Sequence, residues 1–212
     1  MILENTSIFL ESDQEAHQLA DRLMKYENRG VIVVAVSNAG WPIANHVAKQ
    51  LKADFIFVPS EILKDPSDPL KAIGVVSFDF TITDALCRDV PQDFIARQAK
   101  ILQADLISKY QDFYREMEKR FQNKVVILVD QFATTSHRIL ACLKTIRKQH
   151  PERIVIAIPS ISEGVAREIA LEAEELIFIY LISCDSITNI CQSTDNVHDG
   201  QEKLMDELNQ DC

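Results

Sequence analysis

The stretch Val125–Leu140, VVILVDQFATTSHRIL, decides the fold. Five apolar residues lead to Asp130, then to a short polar run, and a helical pattern follows. An unbroken run of branched apolar residues marks a strand buried on both faces, as strands of parallel sheets are. A strand that passes through a polar loop into a helix is a common way to build an anion site, because the first N–H groups of the helix have no partner within it. Such loops usually carry glycines, and this one has none. The chain has 5 glycines in 212 residues: Gly30, Gly40, Gly74, Gly164 and Gly200. Neither a G-x-G-x-x-G turn nor a P-loop is present, which excludes NAD binding and ATP hydrolysis of the usual kinds.

Working outward, similar apolar runs recur. VIVVAV (31–36), DFIFVPS (54–60), IGVVSF (73–78), RIVIAIP (153–159) and LIFIYLI (176–182) read as further strands. Helical patterns lie between most of them, over 12–25, 41–52, 137–149 and 163–175. Pro42 suits the first turn of the second of these. Residues 91–121 read as one long helix with a single apolar face, from Phe94 through Leu106 to Phe121. That face packs on the domain or contacts a second copy of the chain. Strands alternating with helices imply an α/β fold with a mainly parallel central sheet and helices on both faces. No linker or repeat divides the chain, so residues 1–212 are expected to form one domain.

In such sheets ligands bind beyond the carboxyl ends of the strands. The residues that matter are therefore those just after each strand, above all Ser37–Gly40 and Asp130–Arg138. Thr134, Thr135 or Ser136 can cap the following helix with a side-chain oxygen. His137 and Arg138 fall in its first turn. A cation there costs some tenths of a kcal/mol up to about 1, unless an anion is bound or the side chain swings into solvent.

Composition narrows the partners. The formal net charge is −10, which argues against nucleic acid and anionic membranes, since both need a basic surface. No apolar run is long enough to span a bilayer, and the N-terminus MILENTSIFLESD lacks a signal-peptide pattern. A soluble, cytoplasmic protein is expected. The five cysteines, Cys87, Cys142, Cys184, Cys191 and Cys212, show no metal-binding spacing and are read as free thiols. No metal site of the protein's own is expected. No G-x-S-x-G elbow supports a hydrolase.

LVDQFATTSHR (128–138) resembles, without a gap, the V-D-D-G-x-A-T-G-x-T loop that binds phosphoribosyl pyrophosphate (PRPP) in type I phosphoribosyltransferases. The resemblance extends over most of the chain, to a bacterial branch of that family. SNAGWPIA (37–44) stands where the branch has P-R-G-G-V-P-V-A. FIFVPSEILKDPSDPLKAIG (55–74) keeps Pro66, Pro69, Ala72, Ile73 and Gly74 of a second element, and Pro159, Val197 and Asp199 match further positions. The resemblance implies the type I phosphoribosyltransferase fold, with a small hood from the N-terminal segment and roughly 180–212 that selects the acceptor base.

It also implies roles for particular residues. Asp130 and Gln131 stand at the two catalytic acids that hold the ribose hydroxyls. Ala133, Thr134, Thr135, Ser136, His137 and Arg138 stand in the turn that wraps the 5′-phosphate. Asn38, Ala39 and Gly40 stand at the pyrophosphate turn, and Mg²⁺ accompanies PRPP in active members. Several positions depart from the pattern. Gln131 replaces the second acid, Ser136 a Gly, Arg138 a Thr, Asn38 an Arg, Ala39 a Gly, Ile62 a Lys and Leu70 a Glu. If the backbone at 136 needs φ > 0, Ser carries a steric cost that Gly does not. Lys64 and Arg138 are candidates to replace lost positive charge.

Two readings follow. One is a phosphoribosyltransferase with a changed site. The other is a non-catalytic relative that binds PRPP, a nucleotide or another phosphorylated small molecule, or acts as a dimeric regulatory partner. A homodimer is expected in either case.

Overall fold

The computed structural model describes residues 3–84, 89–133 and 135–182, with side chains from residue 13 onward. The expected elements at Cys87, Thr134 and 183–212, including most of the proposed hood, lie outside the described residues.

The elements are helices α1 (Leu3–Arg22), α2 (Trp41–Leu51), α3 (Gln92–Lys109), α4 (Gln111–Phe121), α5 (His137–Arg147) and α6 (Glu163–Ala170). The strands are β1 (Ile32–Ala35), β2 (Asp54–Phe57), β3 (Glu61–Lys64), β4 (Ala72–Val76), β5 (Thr81–Thr83), β6 (Val125–Val129), β7 (Phe132–Ala133), β8 (Arg153–Ser162) and β9 (Glu175–Ile182). A single 3₁₀ turn, Met24–Tyr26, follows α1.

Every pairing in the main sheet is parallel, in the order β2-β1-β6-β8-β9. The expected parallel neighbours 31–36, 125–129 and 154–158 are adjacent: Val33 pairs with Ile127, and Ile127 with Val155. β7 pairs with β8 as well, Phe132 opposite Ser160. Val129 lies opposite Ala157, so β7 resumes the register of β6 on the same edge of β8. Asp130 and Gln131 are a two-residue interruption in an otherwise continuous strand, placed at the carboxyl end of the sheet.

Side chains of β1 alternate between two cores. Ile32 and Val34 join α4, α5 and α6 on one face. Val33 and Ala35 join α1 and α2 on the other, with Leu19, Leu23, Val47 and Leu51 fully buried. Burying each such side chain is worth about 1.5–3 kcal/mol. α2 begins at Gly40 with Pro42 in its first turn and stops at Lys52, which turns left-handed (φ 52°) and gives its N–H to Ala48 and Lys49.

Two expectations need correction. The segment 91–121 is two helices, broken at Tyr110 (φ −119°, ψ 37°). Its apolar face serves two cores. Ile95 and Ala99 pack with Leu63, Ile73, Val76 and Val90, whereas Leu106, Met117 and Phe121 belong to the main core. α3 itself runs from the smaller core at Ile95 and Ala99 to the main core at Leu106, and α4 continues in the main core after the break. The strand near 73–78 is also not part of the main sheet. It is β4, the centre of a separate antiparallel sheet, β3-β4-β5. The Pro-rich stretch 65–71 is the β3–β4 connection, closed by Asp65, which accepts from the Ser67 N–H and from Lys71.

Candidate functional site

The site grows out of the interruption between β6 and β7. Asp130 is buried there, 7% exposed. Its Oδ1 accepts from the Gln131 N–H at 2.9 Å and from the Ser37 hydroxyl, and Ser37 Oγ in turn accepts from the Gly40 N–H at 2.9 Å. The turn after β1 thus holds the acid at the end of β6. Gly40 is required for this. Its φ of −75° would suit any residue, but a Cβ would sit 2.8 Å from the Asp130 Cα and 3.1 Å from the Val129 carbonyl oxygen.

Burial pushes the Asp130 carboxyl above its usual range. The bonds from Ser37 and Gln131 and the charge of Arg138 oppose that shift without cancelling it. Cys142 is buried, and both burial and the Asp130 charge raise its thiol. It is therefore an inert packing group, as expected of a free thiol in the core.

The amino end of α5 differs from expectation. Ser136 is the N-cap residue, but its side chain makes no cap bond. The hydroxyl donates instead to the Glu168 carboxylate of α6. Its backbone is helical (φ −81°, ψ −18°), so no left-handed glycine is needed at 136. The first turn of α5 contains no acid. Among the described residues, neither Ser136 nor a first-turn acid therefore occupies the first N–H groups, and the end of the helix keeps its anion-attracting character. Thr135 is exposed beside it, and His137 and Arg138 are half-buried.

The antiparallel sheet roofs this loop. Ile62 of β3, Ala72, Gly74 and Val75 of β4, and Asp84 after β5 face Asp130, Phe132, Thr135, His137 and Arg138 across a cleft of about 280 Å³. Gly74 lets β5 approach, since a Cβ there would meet the Ile82 carbonyl oxygen at 2.4 Å.

Of the residues singled out from sequence, the fold brings Asp130, Thr135, His137 and Arg138 into this cleft. Gln131 is half-buried beside it and contributes its N–H to Asp130. Ala133 is 3% exposed and turned into the core, so only its backbone can meet a ligand. Asn38 and Ala39 are exposed on the turn after β1, outside the cleft lining, and Gly40 acts through its contact with Asp130. Lys64 is exposed and does not line the cleft. Asp84, Phe132 and Glu168 were not singled out. Asp84 follows a three-residue strand, and Glu168 lies 32 residues from its partner Ser136, so no local spacing marks either.

Carboxylate and phosphate oxygens are the ligands Mg²⁺ takes. Asp84 and Asp130 line one cleft, but among the described residues no group of three or more His, Cys, Asp or Glu side chains could hold a metal ion.

The family model of the phosphoribosyl transferase domain matches residues 9–164. The chain belongs to that family. A Mycobacterium tuberculosis protein provisionally named a phosphoribosyl transferase, present in two strains, is 23% identical over 175 residues. The match covers 80% of this chain and 40% of that protein, so the chain spans less than half the length of these relatives. Among solved structures, TT1426 from Thermus thermophilus overlays with a TM-score of 0.60 at 20% identity, covering 86% of each chain. A purine phosphoribosyltransferase from Pyrococcus horikoshii overlays with a TM-score of 0.48 at 12% identity, covering 82% of this chain and 88% of that one. The fold is that of the type I phosphoribosyltransferases. No helix among the described residues is long and apolar enough to cross a membrane.

Proposed function

We propose that this protein binds a 5′-phosphorylated ribosyl compound in the cleft between loop 130–138 and β3–β4, with transfer from PRPP weak or lost. One observation carries the reading. The amino end of α5, which Ser136 does not cap, and the buried carboxylate of Asp130 open into the same cleft. The first supplies N–H groups and a favourable field for a phosphate. The second supplies a fixed acceptor for ribose hydroxyls. Arg138 and Thr135 flank the phosphate position.

Transfer at the anomeric carbon passes through a cation-like state, so catalysis there is mostly positioning and charge stabilisation. Mg²⁺ bound with PRPP would help neutralise a pyrophosphate leaving group, and Asp84 and Asp130 are the carboxylates in the cleft that could meet it. The groups that would grip that pyrophosphate are short of charge. Asn38 is neutral, Ile62 is apolar, and Gln131 brings no negative charge opposite the ribose. Each missing charged hydrogen bond is worth on the order of 1.5–3 kcal/mol, so PRPP should bind weakly. The alternative reading is an active transferase that uses Mg²⁺ brought in with PRPP, with Asp84 and Asp130 sharing the cleft. A homodimer in the cytoplasm, working in nucleotide metabolism, and a hood from the N-terminal segment and roughly 180–212 complete the proposal.

Calorimetric titration with PRPP, with and without Mg²⁺, tests it, alongside an assay for released pyrophosphate. Weak PRPP binding with measurable affinity for ribose 5-phosphate supports the binding reading. Micromolar or tighter Mg²⁺·PRPP binding with pyrophosphate release on adding a base establishes the transferase.

A further inference from the structure

Helix α1 meets α2 along an apolar seam. Ala16, Leu19, Ala20 and Leu23 of the first share one core with Ile43, Ala44, Val47 and Ala48 of the second, all buried. One titratable pair interrupts this seam. The rings of His17 on α1 and His46 on α2 stand 4.1 Å apart between centroids, tilted by 54°. His17 Nδ1 is 2.8 Å from the Asp13 carbonyl oxygen, one turn earlier on α1. A carbonyl oxygen can only accept, so that nitrogen carries the hydrogen. His46 Nε2 is buried, and it has no hydrogen-bond partner among the described residues. A neutral His46 can leave a bare lone pair there. A protonated His46 would bury an N–H without an acceptor, beside a second imidazole.

The charged groups around the pair do not offset this. Burial first, and then the charge of His17, hold the His46 ring below its usual 6.5; Asp13 opposes that shift and Lys49 adds to it. Glu27 and Lys52 line the same pocket as His46, but they are paired with each other at 2.7 Å.

We propose that His17 and His46 form a proton-operated latch on α1: the helix stays docked on α2 while His46 is neutral and loosens when acid protonates the pair. The folded ring holds its proton less tightly than the unfolded one. Docking is therefore intact above 6.5 and weakens as pH falls from there through the folded value. A loosened α1 uncovers Ile43 and Val47 of α2, an apolar surface on the opposite face of the sheet from α5. The latch uses no residue of the phosphate cleft, so it stands or falls independently of the function proposed above.

Amide hydrogen exchange of the whole chain, expressed as protection factors at about pH 7.5 and about pH 5.5, tests it. Protection of residues 16–23 and 43–51 should fall by about fivefold or more in acid, the least expected when a buried donor lacks an acceptor. β6 and β8 should keep theirs. His46→Gln takes up no proton at this position and should show no such fall. His17→Gln removes the neighbouring charge, so it should show a smaller one. A titration of the imidazole protons by NMR needs no variant at position 46. His46 should titrate below 6.5 in the unmodified protein and closer to 6.5 in His17→Gln. His137, His150 and His198 are present in all three proteins, so a fall that they or a carboxylate cause survives in both variants and would overturn the latch. Unchanged protection between the two pH values would overturn it too, as would an equal loss in β6 and β8, or a His46 that titrates at or above 6.5.

Discussion

Gly40 lies so close to Asp130 that a Cβ on the glycine would stand 2.8 Å from the Asp130 Cα and 3.0 Å from its Oδ1. The amino end of α2 and the interruption between β6 and β7 are therefore built against each other, backbone on backbone. Neither can yield cheaply. Gly40→Ala should destabilise the fold by about 2 kcal/mol, in the range of core overpacking, and should weaken ribose 5-phosphate binding by displacing Asp130. Gly164→Ala is the control. A Cβ there meets nothing within 4 Å, and Ala suits a helix better than Gly, so stability should hold or rise by up to about 1 kcal/mol. Urea unfolding of the two variants measures both.

Thr145 is fully buried in α5, and its Oγ1 has no hydrogen-bond partner among the described residues. A buried hydroxyl without a partner costs roughly 1–3 kcal/mol. Thr145→Val keeps the shape and removes the polar atom. Stability should rise by about 1 kcal/mol, read as a melting temperature higher by about 2–4 °C. An unchanged or lower melting temperature would show that the hydroxyl is satisfied.

Asp130 places stability and function in opposition. Burial raises its carboxyl above the usual 3.8, so the folded state holds this proton more tightly than the unfolded one. Its contribution is favourable below 3.8 and is lost as pH rises through the raised value. At pH 7 the buried charge is a cost. Asp130→Asn should therefore stabilise the fold at pH 7, and the advantage should shrink as pH falls toward 3.8. The same variant should bind ribose 5-phosphate more weakly, since the charged acceptor for its hydroxyls is gone.

Glu175 behaves with the opposite sign. Burial alone would raise its carboxyl, but hydrogen bonds from Lys25 and Tyr26, with the charges of Lys25 and Arg153, outweigh burial and hold it below 4.5. Lys25 Nζ is 2.5 Å and the Tyr26 hydroxyl 2.6 Å from its oxygens. These bonds tie the 3₁₀ turn after α1 to the start of β9. A lowered carboxyl stabilises above 4.5, and the contribution is lost as pH falls through its folded value. Glu175→Gln should cost roughly 1 kcal/mol at pH 7, with the gap to the unmodified protein closing below pH 4.5. Chemical unfolding at several pH values checks the slope.

The parallel sheet was legible because its strands are unbroken apolar runs. VVILV and RIVIAIP carry their burial on both faces in their composition, and the pairing Ile127–Val155 follows. Of the antiparallel roof only the centre strand, β4, was legible. EILK, beside the Pro-rich loop, and TIT are four and three residues of mixed polarity, too short for periodicity to register. The break at Tyr110 was hidden for a different reason. The apolar spacing through 91–121 is continuous across Tyr110, so no change of pattern marks the bend.

At the site, the sequence pointed to Asp130 and to the amino end of α5, since both follow from strand–loop–helix order. Of the three hydroxyl residues it offered as caps, Thr134, Thr135 and Ser136, the last is engaged elsewhere. A serine before a helix reads as a cap, but Glu168 on α6 competes for the hydroxyl and takes it. Only the packing of α6 beside α5 brings that acid near. Asp84 entered the cleft through a sheet whose edge strands sequence patterns did not reveal, whereas Phe132 lies in the highlighted loop itself.

The measurement closest to the central claim is titration of the isotopically labelled chain with ribose 5-phosphate, followed through the backbone amides. The account predicts saturable shifts centred on residues 135–139 at the amino end of α5. It also predicts that Arg138→Ala weakens the affinity by about tenfold or more, the loss expected for one charged hydrogen bond. Absence of shifts in that segment at millimolar ligand, or saturable shifts confined to another part of the fold, would contradict it.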